Sequence, residues 1–334
     1  MLIHDTQLHP DLFNTDDLEH ASTRDGFGEA VVEAGKEDER IVVLSADVAD
    51  SVRANAFRDA FPERFIEVGV AEQNMAGLAA GLAACGKIPF IAAYATFSPG
   101  RNWEQIRTTI ALSELPVKIL GMHTGVSVGP DGATHQALED ITLMRVLPNM
   151  HIIVPADKCE AKKAIHHAVG NNAPTYIRFS RHETPVFTTE ETPFALGRAE
   201  YLWRDGNPRV ALMGAGPLLY DALLAARILQ EEGIGVSVLN LHSIKPMDVE
   251  RVKEAARDAG AVVTIEEHQI LGGVGGTVAE VLVQNTPVPE EMVAVHDRFG
   301  QSGNAGELLD AYRLNTYAIV EAARRARARA DGTM

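Results

Sequence analysis

Short apolar runs rich in β-branched residues alternate with amphipathic stretches along most of this chain of 334 residues. The runs are almost continuously apolar, which is typical of strands that are buried on both faces of a sheet. Because a stretch of helical period follows each run, we expect parallel strands covered by helices. The pattern therefore predicts an α/β fold. The runs assigned to strands are RIVVLS, RFIEVGV, IPFIAAY, PVKILGM, HIIVPA, RVALMGAG, GVSVLNL, AVVTIEE and MVAVHD.

A segment rich in proline and acidic residues, ETPVFTTEETPFALGRAEYLWRDGNP, interrupts the alternation, which then resumes. A single core rarely grows beyond about 250 to 300 residues, so a chain of this length is expected to hold two domains. We therefore predict two consecutive parallel-sheet α/β domains, of which the second is smaller. The predicted boundaries are an N-terminal tail at 1–21, a first domain at 22–185, a linker at 186–207 and a second domain at 208–330.

The net charge of −16 argues against a nucleic-acid or anionic-membrane partner, because both need a basic face. The two cysteines, Cys85 and Cys159, form no disulfide framework and no zinc-ligand spacing, which favours a reducing cytoplasm. The N-terminal segment is acidic and lacks the long apolar core of a signal peptide. No apolar run is long enough to span a bilayer. We therefore expect a cytoplasmic protein.

Polar residues collect where predicted strands end. The glycine-rich segment GVSVGPDGATHQALED at 125–140 carries Asp131 and His135, and His123 closes the strand before it. Loops at the carboxyl ends of parallel strands are where α/β proteins bind ligands. A plain turn with a capping aspartate and a half-exposed histidine is the alternative interpretation of this loop. Three polar groups on strand-end loops favour a binding crevice.

Glu72 begins a helix, EQNMAGLAAGLAA, that has almost no side-chain bulk. A glutamate in the first turn often serves only the helix dipole. Glycine within a helix, however, costs about 0.5 to 1 kcal/mol relative to alanine, and this helix has Gly77 and Gly81. Two such glycines suggest that another backbone or a ligand comes close to this helix.

Three aromatic residues, Tyr94, Phe97 and Trp103, surround a Pro-Gly turn after another predicted strand. They form either a satellite of the core or a flat platform for an aromatic ring. Their position at a strand end favours the platform.

Taken together, these motifs resemble the C-terminal half of the transketolase family of thiamine diphosphate enzymes. The resemblance covers the chain from about residue 22 to its end, and the combination of motifs is highly specific. The segments that carry it are VGVAEQNMAGLAAGLA, ATF, NWEQIR, DGATHQALED, RVLPNM and IRFSRHE, in this order.

The resemblance implies roles for individual residues. Glu72 would hydrogen-bond the pyrimidine ring of the cofactor and act with His123 and His135 in catalysis, since a carboxyl buried among small and aromatic residues can share a proton with a weakly basic nitrogen. The two histidines would also contact substrate hydroxyls and relay protons. The remaining roles are cofactor binding by Asp47, Phe97 and Trp103, and substrate binding by Ser51, Asp131, His123, His135 and Arg181, with Ser51 and Arg181 at the phosphate.

Two departures from the family pattern matter. Gly100 stands where many relatives have a third aromatic residue. The sequence therefore does not decide whether Phe97 or Trp103 stacks on the pyrimidine. The chain also lacks the family's G-D-G motif and downstream asparagine, which bind Mg²⁺ and the diphosphate. The resemblance therefore implies the C-terminal subunit of a split transketolase, in an α₂β₂ assembly that shares thiamine diphosphate with an N-terminal subunit carrying Mg²⁺. The implied reaction transfers a two-carbon ketol unit reversibly from a ketose phosphate to an aldose phosphate.

Other interpretations remain open. The β subunit of a 2-oxo acid dehydrogenase E1 component has a similar length and domain order. A 1-deoxyxylulose-phosphate synthase-like activity is more distant, because that enzyme is normally one long chain. A non-catalytic subunit that only stabilises a partner is the third alternative. The segments DGATHQALED and FSRHE resemble sugar-phosphate recognition and favour transketolase.

Overall fold

The computed structural model describes residues 7–14 and 17–333. Its strands are β1 (His20–Ala21), β2 (Ile41–Ser45), β3 (Phe65–Glu67), β4 (Ile88–Tyr94), β5 (Lys118–Met122), β6 (His151–Ile153), β7 (Thr175–Arg178), β8 (Thr184–Pro185), β9 (Glu200–Arg204), β10 (Val210–Gly214), β11 (Val236–Asn240), β12 (Ser243–Lys245), β13 (Val262–Gln269) and β14 (Glu290–Val295). Its helices are α1 (Thr23–Glu37), α2 (Asn55–Ala60), α3 (Glu72–Ala84), α4 (Trp103–Gln105, continued by a π-helical segment Ile106–Ala111), α5 (Asp140–Arg145), α6 (Lys158–Gly170), α7 (Leu219–Glu231), α8 (Val249–Ala259), α9 (Val274–Asn285), α10 (Ala305–Ala311) and α11 (Thr316–Ala330).

The first domain is built on a seven-stranded sheet in the order β12-β6-β7-β5-β4-β2-β3. Every pair in it is parallel except β12 with β6. Strands β2 and β5 are buried along their whole length, as a sheet covered on both faces requires. The second domain holds a five-stranded sheet in the order β14-β13-β10-β11-β9, with β9 antiparallel to β11. The predicted fold of two mostly parallel α/β domains is confirmed.

Five strands, β1, β7, β8, β9 and β12, lie where the sequence pattern did not predict them, and two of them change how the domains are described. Residues 200–204, which we expected within the linker at 186–207, form β9 and complete the second sheet. Strand β12 follows the second-domain strand β11 in the chain but joins the sheet of the first domain. The two domains are therefore interlocked, and the linker prediction is corrected at its C-terminal end.

The tail predicted for residues 1–21 packs on the second domain where the structure describes it; residues 1–6, 15 and 16 lie outside the described residues. Leu12 and Leu18 are buried in a cluster that includes core residues of the second domain. The Tyr220 hydroxyl donates to the Leu12 carbonyl over 2.8 Å. None of the helices within 7–14 and 17–333 is long and apolar enough to cross a membrane.

The first helix begins where its sequence predicts. The backbone N–H of Ser22 donates to the Asp25 carboxylate over 3.1 Å, and the Ser22 hydroxyl donates to the same oxygen over 2.6 Å. This capping arrangement satisfies donors that the start of a helix leaves without an intrahelical partner. It also fixes Arg24 in the first turn of α1.

Glu160, on α6, is a buried carboxyl at the contact between the domains. It accepts hydrogen bonds from the Ala156 N–H over 2.6 Å and from the Asn240 amide over 2.7 Å. Burial, together with the nearby charge of Asp157, raises the pKa of Glu160 to about 8. In the unfolded chain this carboxyl is expected to titrate near the ordinary value of about 4.3.

We expect the Glu160→Gln variant to lose part of the wild-type dependence of stability on pH. The folded protein holds the Glu160 proton up to a higher pH than the unfolded chain does, so the wild-type free energy of unfolding falls as pH rises from about 4.5 through 8. Relative to the variant, this fall has a slope of up to about 1.4 kcal/mol per pH unit. Urea unfolding of both proteins between pH 5 and pH 9 measures it, and parallel curves would contradict the assignment.

Candidate functional site

The predicted site residues lie on loops that follow neighbouring strands of the first sheet. Strands β7, β5, β4, β2 and β3 are adjacent in that order and point the same way. Their carboxyl ends therefore meet along one edge of the sheet, where α/β proteins bind ligands. The loops after these strands carry Ser51, Glu72, Phe97, His123, Asp131, His135 and Arg181.

Glu72 begins α3 and is only 2% exposed. Its carboxylate accepts a hydrogen bond from the half-exposed guanidinium of Arg101 over 2.6 Å. The amide of Asn102 donates to the Glu72 backbone carbonyl over 3.1 Å and holds this end of the helix. The expectation of an apolar surrounding is thus wrong in one respect, because an arginine faces the carboxylate.

An aromatic wall extends from this ion pair. The Arg101 guanidinium lies over the Phe97 ring, 4.7 Å from its centroid. The ring of Phe97 in turn lies 5.4 Å from that of His135 and 6.1 Å from that of Tyr94, nearly parallel to the latter. The His123 ring follows, 4.0 Å from Tyr94. The predicted platform therefore consists of Phe97 and Tyr94 with two histidines at its edge.

Trp103 and Gly100 take other roles in the turn. The Trp103 indole N–H donates to the Leu143 carbonyl over 2.7 Å, and its ring packs against the core. A Cβ atom on Gly100 would collide with the backbone carbonyl of Thr96. This backbone path excludes any side chain at position 100. Phe97, rather than Trp103, therefore borders the Glu72 and Arg101 pair.

His123 is fully buried and has one ring nitrogen without a partner. Its Nε2 atom lies 2.9 Å from the Arg24 guanidinium, which can only donate, so the ring proton belongs on Nδ1. Burial and the positive charges of Arg24 and Arg181 lower the pKa of His123 to about 3. His123 therefore stays neutral near pH 7 and offers an N–H donor. The expectation that it relays protons stays a prediction.

Arg24 was not predicted as a site residue. Besides the His123 contact, it donates to the Ser51 backbone carbonyl over 2.7 Å. Burial, and the nearby charge of Arg53, lower the pKa of Arg24 from its ordinary value. The helix dipole disfavours a cation in the first turn of α1, so the location of this arginine is the sequence signal that could have identified it.

The other predicted substrate residues lie beside this cation. The Ser51 hydroxyl is 2.7 Å from the Tyr94 hydroxyl. Arg181 donates to the Val128 carbonyl over 3.0 Å and to the Asp131 carboxylate over 3.3 Å. The end of the crevice opposite Glu72 thus concentrates positive charge and hydroxyl groups, which suits an anionic group on a polyol.

Asp47 lies apart from these contacts. It follows β2 with an exposed side chain and a left-handed backbone (φ 60°), and its N–H donates to the Glu67 carboxylate over 2.8 Å. No group of three or more His, Cys, Asp or Glu side chains arranged to hold a metal occurs within 7–14 and 17–333. The buried carboxylate of Glu72 and the Phe97 ring do fit an aminopyrimidine, which offers a ring nitrogen and a flat face.

Two family models match this chain and together cover most of it. Residues 19–186 match the pyrimidine-binding domain of transketolase, and residues 197–319 match the transketolase C-terminal domain.

Two curated relatives match almost end to end, and a third is matched over about half of its length. The 6-deoxy-6-sulfo-D-fructose transketolase subunit of Clostridium sp. (strain MSTE9) is 38% identical over 92% of this chain and 94% of its own. One of the subunits of the apulose-4-phosphate transketolase of Phocaeicola vulgatus is 37% identical over 90% of this chain and 96% of its own. Human transketolase is 34% identical, with 91% of this chain matching 48% of that protein.

A solved structure described as a split gene transketolase in an inactive β4 tetramer has a similar fold. It superposes with a TM-score of 0.84 at 41% identity, over 92% of this chain and 99% of the other.

Proposed function

This chain belongs to the transketolase family, and we propose that it is the C-terminal subunit of a two-chain transketolase. In this proposal the complete enzyme transfers a two-carbon ketol unit reversibly from a ketose phosphate to an aldose phosphate. One observation carries the proposal: a buried carboxylate, an aromatic wall and an arginine-rich end follow one another along the carboxyl edge of the first sheet.

We propose that the partner is a separate N-terminal subunit that binds the diphosphate and Mg²⁺. Two near-full-length relatives are named as transketolase subunits, and this chain matches only 48% of human transketolase. The exposed face of α3 supports a close contact, since a Cβ atom on Gly77 or Gly81 would meet no heavy atom of this chain within 4 Å. Another chain is therefore able to approach the helix backbone beside Glu72. We further propose that the two subunits form an α₂β₂ assembly and that this assembly lies in the cytoplasm.

Thiamine diphosphate, when bound, supplies a nucleophilic carbon that carries the two-carbon unit between sugars. This chain's part begins with Glu72, whose buried carboxylate would hold a proton between one of its oxygens and the pyrimidine. In the structure Arg101, which is half-exposed, donates to that carboxylate, so its side chain would have to turn away for the pyrimidine to bind there. The Phe97 ring would then offer its face to the pyrimidine. Asp47 and Trp103 remain proposed as cofactor contacts from the resemblance.

At the other end of the crevice, Arg24 and Arg181 would bind the anionic end of the sugar, with Ser51 beside them. His123 would donate a hydrogen bond from its Nδ1–H to a substrate oxygen, because its low pKa keeps the ring neutral. His135 and Asp131 would contact hydroxyl groups nearer to the aromatic wall. Proton relay by His123 and His135 remains proposed from the resemblance.

We expect Arg24→Ala and Arg181→Ala to raise the KM of the assembled enzyme for a ketose phosphate roughly 10- to 100-fold, because charge-assisted hydrogen bonds contribute about 1.5 to 3 kcal/mol. Steady-state kinetics with fructose 6-phosphate, compared with fructose, measures this effect, and the loss should be confined to the phosphorylated donor. Arg53→Ala is the matched control, since Arg53 is already paired with Asp25 over 2.7 Å. An unchanged KM for fructose 6-phosphate in both site variants would refute the phosphate assignment.

The alternatives are less well supported. The named relatives are transketolase subunits rather than 2-oxo acid dehydrogenase components. The site residues that a non-catalytic subunit would not need, among them Glu72 and His135, are held by specific contacts. Decarboxylation of a 2-oxo acid by the assembled enzyme, without ketol transfer, would reverse this preference.

A further inference from the structure

The loop that carries Asp131 and His135 is held in its own domain by Arg181, which donates to Val128 and Asp131, and by the contact of the His135 ring with Phe97. Its backbone closes on itself through bonds from Gly129 N–H to the Val126 carbonyl (3.1 Å) and from His135 N–H to the Gly132 carbonyl (2.9 Å). Such local bonds define turns of the loop. The second domain adds contacts on the other side of the loop.

Gln136 supplies one anchor. Its side chain is 3% exposed, and its amide nitrogen donates to two carbonyls of the loop, Val126 (3.0 Å) and Gly129 (3.3 Å). The same nitrogen donates to the Gln301 carbonyl over 2.9 Å. Gln301 belongs to the second domain, so one buried amide joins both ends of the loop to that domain.

Close packing accompanies this bond. The segment 298–303 of the second domain lies against the loop, and a Cβ atom on Gly132 would stand 2.5 Å from the Ser302 hydroxyl. The segment is itself held by the second domain, since the Tyr312 hydroxyl donates to the Phe299 carbonyl over 2.7 Å. The loop therefore has no room to move towards the second domain.

Glu267 supplies the second anchor, at the start of the loop. This carboxylate of β13 accepts hydrogen bonds from the Ser127 N–H over 2.6 Å and from the Ser127 hydroxyl over 3.0 Å. It is buried, and a Cβ atom on Gly125 would collide with it. The two anchors lie on opposite sides of Asp131 in the sequence, which is the arrangement that restricts a loop most.

We propose that the second domain acts as a positioning element for substrate recognition, and that Gln136 and Glu267 are the positioning residues through which it holds the loop. They touch neither the proposed cofactor nor the sugar; they fix the loop whose Asp131 and His135 side chains would meet the sugar hydroxyls. This inference rests on the proposed function for its catalytic consequence, whereas the anchoring itself does not.

Hydrogen exchange in the isolated chain tests the anchoring. Gln136→Met removes the donor at similar volume, and Glu267→Leu removes the acceptor. We expect the amides of Gly129, Gly132 and His135 to exchange roughly 10-fold faster or more in each variant, while amides of β4 and β5 keep their rates. Glu267→Gln should restore the wild-type rates, because its amide can accept from the Ser127 N–H and donate to the Ser127 hydroxyl.

Kinetics of the assembled enzyme tests the consequence. We expect Gln136→Met and Glu267→Leu to lower kcat/KM for the ketose phosphate roughly 10-fold, and Glu267→Gln to be near wild type. Thr142→Val is the matched control, because it removes another hydrogen bond between the domains, to the Leu271 carbonyl (2.9 Å), away from the loop. The control should lower thermal stability without changing kcat/KM.

The outcomes separate the two claims. If the loop amides exchange hydrogen at the wild-type rate in both variants, the proposal is overturned. It is also overturned if these amides exchange faster but kcat/KM is unchanged. A loss of kcat/KM in Thr142→Val equal to that in Gln136→Met overturns it too, since any weakened domain contact would then suffice. A wild-type assembly without ketol transfer counts against the proposed function instead, and the exchange rates then decide the anchoring on their own.

Discussion

Replacing Glu72 by glutamine is expected to lower the turnover of the assembled enzyme by about 10²- to 10⁴-fold, the range of a positioned acid–base group. Glutamine has nearly the same volume and can still accept a hydrogen bond from Arg101, so the packing at the start of α3 should be preserved. What the variant loses is a carboxylate able to hold a proton against the pyrimidine. The substitution therefore separates chemistry from assembly.

Ketol transfer and complex formation must both be measured for this variant. Size-exclusion chromatography with the partner subunit should give the wild-type elution volume. Glu104→Gln is the matched control, because Glu104 is an exposed carboxylate on α4 and its substitution is expected to leave turnover unchanged. Turnover within threefold of wild type for Glu72→Gln would remove Glu72 from the catalytic machinery.

The largest loss of stability is expected from Arg178→Leu, which leaves Asp140 buried without its cation. Arg178 binds both carboxylate oxygens of Asp140, over 2.8 and 3.2 Å, and also donates to the Glu267 carbonyl over 2.9 Å. Burial alone would raise the pKa of Asp140, but the guanidinium holds it below its ordinary value. Breaking a buried ion pair by removing one partner costs about 3 to 5 kcal/mol.

Urea unfolding at pH 7 measures this cost. The double variant Asp140→Leu with Arg178→Leu should recover part of the loss, because no buried charge is left alone, although the Glu267 carbonyl stays unpaired. Arg204→Ala is the matched control, since its pairs with Glu254 and Asp258 are partly exposed and contribute about 0 to 1 kcal/mol. Equal losses for Arg178→Leu and Arg204→Ala would contradict the account of the domain contact.

Local patterns predicted the architecture because each buried strand is a short apolar run and each covering helix has its own period. Strand β7 escaped prediction although its four residues form a short buried run, whereas β9 and β12 escaped because their burial depends on distant segments. The three residues of β12 contain a lysine and pair with β6, about ninety positions earlier in the chain. No local pattern of hydrophobic residues predicts such a strand. The same holds for β9, which lies among prolines and charged residues.

The site shows the same division. Residues at strand ends were identified, because parallel strands bring their carboxyl ends together. The contacts between those residues were not identified from the sequence. Nothing in the spacing of Glu72 and Arg101 shows that the guanidinium turns back onto the carboxylate. Arg24 lay outside every loop considered, on a helix that only the tertiary fold brings next to His123.

This chain is expected to complete its site only with a separate diphosphate-binding chain. Native mass spectrometry of the tagged chain, purified from its own host with thiamine diphosphate and Mg²⁺ present, tests this expectation. We expect a complex with a second polypeptide in equal numbers, and cofactor retained in that complex but not by this chain alone. Cofactor retained by an assembly of this chain alone, or an assembly without a second polypeptide and without cofactor, would contradict it.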